Sequence, residues 1–202
     1  MWRFFAKDLG GQRTLFVASF VFFVIFLGGW FMIAPNAPEA AQGFFLWTLV
    51  VLIVQNSLLT SVRADLNDGT LALMRASHHH MGVYLLVRFM GFLAFGGALL
   101  AAASVLSALL STHAPSHLLM LTWALSLPSV VALLMVSTCV SLGARHAGLL
   151  GPCLVLPLLL PLMMLGHMAQ TLPVACAGLL CVSLTLTPLC LGASLFALKD
   201  EH

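Results

Sequence analysis

Residues 15–34 read L-F-V-A-S-F-V-F-F-V-I-F-L-G-G-W-F-M-I-A, with no charge and no proline. This run constrains the fold more than any other feature. About 20 such residues make a helix long enough to cross the hydrocarbon core of a bilayer. Inside lipid the backbone N–H and C=O groups must be satisfied within the chain, so the segment is expected to be helical. Runs of similar character recur at 43–62, 84–110, 118–142, 148–168 and 172–198. Only 7% of the chain is charged and 61% is hydrophobic, against about a quarter charged in a water-facing domain. An all-α integral membrane protein follows, one transmembrane domain over 1–202 with six spans. The first run exceeds the roughly 7–15 apolar residues of a signal peptide, so an uncleaved first helix is expected.

Lys and Arg orient the spans, because cytoplasmic segments carry them in excess. Arg3, Lys7 and Arg13 precede span one; Arg63, Arg75 and Arg88 lie at or near the connection from span two to span three. Arg145 follows span four, and Lys199 stands at the end of span six. Segments 35–42, 111–117 and 169–171 hold none. Both termini are therefore expected on the cytoplasmic side. Trp2, Phe5 and Leu9 fall near one face of residues 1–13, with Arg3, Lys7 and Asp8 elsewhere. This suits an interfacial helix on the inner leaflet, or an ordinary basic flank. The final K-D-E-H is similar to a luminal retention signal, but a cytoplasmic tail is not read as one.

Several function classes drop out. A net charge of +2 without a basic, aromatic-interleaved patch leaves no case for nucleic acid. No span, as drawn, carries Asp or Glu, which argues against a carboxylate ion pathway. No paired carboxylates, zinc spacing or nucleophile triad is present, so no catalytic residue and no metal site is expected. The chain lacks G-x-x-x-x-G-K-[ST], so any ATP hydrolysis, with its magnesium, belongs to another subunit. The five cysteines lie in apolar runs without a C-x-x-C pair and read as small packing residues.

The spans carry some polarity. Gln55 and Asn56 are amides in lipid unless they bond across helices or line a cavity. Ala94, Ala98 and Ala102, with Gly97 and Ala101, form a small-residue face for close packing, within the chain or between two copies. Arg88 is expected to snorkel toward the cytoplasmic interface. Pro157 and Pro161 should kink or break span five. His78, His79 and His80 read as a solvated loop end. His113, His117 and His167 lie outside; imidazole is a ligand of heme iron, and solvated outer loops are the plainer alternative.

The longest inner connection begins R-A-D-L-N-D-G-T-L at Arg63. This stretch resembles the D-L-x-D-G-[ST]-L run of the heme exporter B family. Phe5–Arg13, Gly143–Leu150, Leu154–Leu162 (L-V-L-P-L-L-L-P-L) and Leu184–Pro188 resemble further family segments in the same order. The resemblance implies an ABC-2-type permease of cytochrome c-type biogenesis. It implies partners: a separate ABC ATPase subunit, a heme-handling membrane protein and a heme chaperone. It also implies heme export or chaperone release as the outcome, with heme as the possible substrate. Where the family continues with an acidic or amide residue and a proline, this chain has Ala72 and Met74-Arg75-Ala76-Ser77. The family assigns nothing to the outer histidines.

A coupling helix between spans two and three is then expected. Asp68 would cap it through Gly69, Thr70 and Leu71. Leu71 and Met74 would share a face, offered to the ATPase and flanked by Arg63, Asp65, Leu66, Asp68 and Arg75. Two alternatives stay open: a non-transporting membrane scaffold for the heme-assembly proteins, and an ABC-2 exporter of a drug, lipid or glycan.

Overall fold

A computed structural model of the chain describes residues 17, 21, 23–30, 39–72, 81–110, 117–142, 161–162, 164–165 and 173–199. Four long helices dominate them: α1 (Glu39–Asn67), α2 (Met81–Leu110), α3 (His117–Leu142) and α4 (Pro173–Lys199). Each contains a stretch long and apolar enough to cross a membrane. They correspond to the second, third, fourth and sixth expected spans. Residues 23–30 add a helical piece of the first, and 161–162 and 164–165 helical fragments of the fifth. Among the described residues there is no strand.

Packing rather than propensity orders these helices, because most of their surface is apolar on every side. On α1, Leu46, Val50, Ile53, Ser57, Ser61 and Asp65 are buried, a series at three- and four-residue spacing that faces protein. Phe44 and Leu52 stay exposed, as lipid-facing residues should. Helix α3 is the centre: 72% of its span is buried, against 17% of α4's, and it packs on α1, α2 and α4. Its small hydroxyl residues make the close approach possible. Thr138 Oγ1 donates to the Leu134 carbonyl (2.8 Å) and Ser141 Oγ to the Ser137 carbonyl (2.6 Å), so these polar atoms are satisfied on their own helix. Phe23 and Leu27 are fully buried, and Trp30 stacks on Phe45 of α1 at 4.1 Å and 11°.

The relative direction of α1 and α2 follows from their contacts. Asp65 near the end of α1 pairs with Arg88 near the start of α2, and a Cβ on Gly96 would meet Val54 at 3.6 Å. Thus α1 and α2 run antiparallel. A Cβ on Gly96 would also meet Leu127 of α3 at 3.0 Å, a close approach between α2 and α3.

Three expectations change here. The second span continues through Asp65 to Asn67, so a carboxylate does lie within a spanning helix. Arg88 does not snorkel; it is 7% exposed, because its charge is met by Asp65. Ala94 and Ala98 are exposed, so within the chain the close α2–α3 contact uses Gly96, and the small-residue face stays open to a second copy. Pro161 is helical and exposed, while helices run through Pro128 in α3 and Pro188 in α4. Residues 1–13, Met74, Arg75, the triple histidine, His113, Pro157, His167 and both termini lie outside the described residues, as does the side chain of His117.

Candidate functional site: a buried ion pair at the root of the α1–α2 connection

The last turns of α1 present Ser61 and Asp65 on one face, and the first turns of α2 present Tyr84 and Arg88. Each pair is spaced i, i+4, which stacks both residues on one side of a helix. The four meet. Arg88 Nη2 pairs with Asp65 Oδ2, and Tyr84 Oη donates to the same oxygen. Arg88 Nη1 donates to Ser61 Oγ at 2.8 Å, and the guanidinium lies 5.5 Å from the centre of the Tyr84 ring.

The two charged side chains are 8% and 4% exposed. A carboxylate buried this way without a partner would be costly. The guanidinium answers this with a charge-assisted bond, and Tyr84 and Ser61 satisfy further donor and acceptor capacity. From Met81 to Arg88 the helix rises about 10 Å at 1.5 Å per residue, so the pair lies inside the bundle. Beside it, Leu58, Val62, Met135 and Thr138 help line a cavity of about 10 Å³, room for a single water at most.

Beyond Asp65 the chain turns outward. Asp68 N–H donates to the Ala64 carbonyl (2.9 Å) and Gly69 N–H to the Leu66 carbonyl (3.2 Å). Gly69 has φ +71°, the left-handed conformation that ends helices and that glycine adopts without a Cβ penalty. Residues 70–72 are again helical. The expected role of Asp68 as an N-cap therefore gives way to Gly69 as the C-terminal stop of α1.

The connection from α1 to α2 has two sides. Arg63, Leu66, Asn67 and Asp68 are exposed, and Gly69 and Thr70 half-exposed. Leu71 is 2% exposed and belongs to the hydrophobic core, and Asp65 is held by Arg88. Neither Asp65 nor Leu71 is therefore on the face offered outward; Leu66, 44% exposed, is a large apolar residue on it. Sequence reasoning missed the Tyr84–Arg88 half of the cluster. The i, i+4 spacing of both pairs was the available signal.

Elsewhere, Gln55 is half-buried and Asn56 exposed near the middle of α1, so the described residues do not enclose the Asn56 amide. A groove of about 330 Å³ lies between α2 and α3, lined in part by Leu93, Gly97, Ala101, Trp123 and Pro128. Among the described residues no three His, Cys, Asp or Glu converge.

No family model matches the chain, and no solved structure matches it. Heme exporter protein B of Pseudomonas aeruginosa is 31% identical over 162 residues, covering 74% of this chain and 72% of that protein.

Proposed function

We propose, from the premise that this chain belongs to the heme exporter protein B family, that it is the membrane subunit of an ABC transporter of cytochrome c-type biogenesis. It sits in the bacterial inner membrane and couples ATP hydrolysis by a separate subunit to heme export or to release of a heme chaperone. One observation carries the coupling role. The exposed segment Leu66–Thr70 is rooted, through Asp65, in a buried ion pair that belongs to the bundle. A flexible loop would absorb a push from a partner; a segment tied this way passes it on. Leu66 supplies an apolar contact for the ATPase, with Arg63 and Asp68 as its polar rim.

Asn56 supports a membrane partner on the outward stripe of α1. An amide facing hydrocarbon near mid-span costs several kcal/mol without a partner, so protein is the favoured neighbour there. The heme-handling membrane protein and a second permease copy both supply such a surface.

The test is co-purification of this chain with an ATPase subunit, with c-type cytochromes stained for covalent heme. An ATPase carrying an inactive Walker motif should abolish maturation. Maturation that survives the inactive ATPase would make the chain a scaffold. Normal c-type cytochromes after deletion of the gene would make it an exporter of something else.

A further inference from the structure

We infer that Asp65 and Arg88 are positioning residues that carry motion of the inner connection into α2, a step that rests on the coupling reading above. The geometry distinguishes a tie from mere packing. Ser61 and Asp65 stand on successive turns of α1, and both are bonded to the one guanidinium on α2. Tyr84, one turn from Arg88, holds the same carboxylate. Two rungs of directional contacts resist sliding of one helix along the other. Apolar side chains at the same places could glide by a turn with little change in burial, since hydrophobic contact is non-directional.

The exposed end of the lever and the buried tie are adjacent in sequence. Leu66 is exposed and Asp65 is not. Gly69 stops α1 directly after them, so a displacement of the outward face acts on the last turn of α1 rather than dissipating along the connection. On the far side, α2 continues to Gly96, where it lies against Leu127 of α3 with no room for a methyl group unless that side chain gives way. The α2–α3 groove begins within one turn of that contact. A shift of α2 therefore reshapes the groove.

The experiment uses the intact complex with its ATPase subunit. Asp65→Asn and Arg88→Gln are compared with the charge-swapped pair Asp65→Arg/Arg88→Asp. Four quantities are read: amount in the membrane, ATPase co-purification, ATP hydrolysis by the complex, and covalent heme on c-type cytochromes. Each single variant strands a buried charge, so hydrolysis and maturation are read per complex recovered; the expected result is normal hydrolysis with maturation reduced about fivefold or more, the scale of a coupling between sites. The swapped pair should recover a substantial part of that loss.

Normal maturation in the single variants overturns the inference. So does loss of hydrolysis together with maturation, which would make the pair part of the docking site. Failure of the swap to recover assigns the losses to the separate charges and also overturns it. If the single variants do not accumulate, Tyr84→Phe decides, because it removes one hydroxyl and no charge. A loss of maturation of about twofold or more at unchanged hydrolysis supports the tie, and unchanged maturation overturns it. A wild-type chain that brings down no ATPase would instead sink the coupling reading, and the inference with it.

Discussion

Arg88 of α2 and Asp65 of α1 neutralise each other inside the helix bundle, with their side chains 8% and 4% exposed. The pair closes a connection that in sequence is an ordinary inner loop. It also sets how α1 ends: a helix can carry a carboxylate past the apolar boundary when its charge is answered on the neighbouring helix.

The first prediction concerns stability. Removing one partner leaves the other buried and unanswered, so Asp65→Ala or Arg88→Ala should each destabilise the protein by about 3–5 kcal/mol. Replacing both, as Asp65→Leu/Arg88→Met, should recover most of that loss, since apolar residues of similar volume often serve as well as a buried pair. Thermal unfolding of the purified protein in detergent measures both. A double variant no more stable than the singles would mean that Tyr84 and Ser61 depend on the charges for their own placement.

The second prediction follows from Gly69. A side chain at φ +71° costs about 1–2 kcal/mol, although the space around it is open. Gly69→Ala should therefore act through the backbone alone, loosening the last turn of α1. Faster amide hydrogen exchange at Asp68 and Gly69, with little change at Ile53 or Val54, is the expected signature. Uniformly unchanged exchange would show that the stop is held by something other than this residue.

Much of this architecture is legible in the sequence, and the misses share a cause. The four long helices lie where apolar runs of about 20 residues demand them. The sequence places the end of span two at Val62, because Arg63 and Asp65 look like the start of water, whereas α1 runs on to Asn67. Only a partner seven residues into the next helix reveals otherwise, and apolar patterning carries no information about such pairing. Leu71 was placed on the outward face by its spacing from Met74. In a short turn, however, the buried side is chosen by what the turn lands on, and Leu71 lands in the core. Asn56 reads from sequence as bonding across helices or lining a cavity; periodicity cannot say whether that neighbouring helix belongs to this chain or to another subunit.

The third prediction separates the two sides of the inner connection. Leu66→Asp places a charge on a side chain that is 44% exposed, so the protein should still accumulate in the membrane while ATPase co-purification falls. Leu71→Asp places the same charge at a position 2% exposed. Burying an unpaired carboxylate is costly, and the protein level itself should fall. Quantifying both variants in membranes before any pull-down decides the matter. Equal levels with equal loss of ATPase would put Leu71 back on the docking face.

The fourth prediction concerns the middle of α1. Asn56 is exposed, and among the described residues its side chain has no hydrogen-bond partner; Thr60 Oγ1 bonds the Asn56 backbone carbonyl instead, at 2.7 Å. If lipid covered this stripe, Asn56→Leu would improve the fit to the membrane and change nothing else. If a membrane partner covers it, the same substitution removes an interhelical hydrogen bond of about 0.6–2 kcal/mol, or roughly 3- to 30-fold in association. The expected outcome is normal insertion with weaker recovery of the heme-handling membrane protein or of a second, differently tagged copy. Which of the two is lost identifies the neighbour of α1. Unchanged recovery of both would return this stripe to the lipid, with the amide bonded to a headgroup or to water drawn into the membrane.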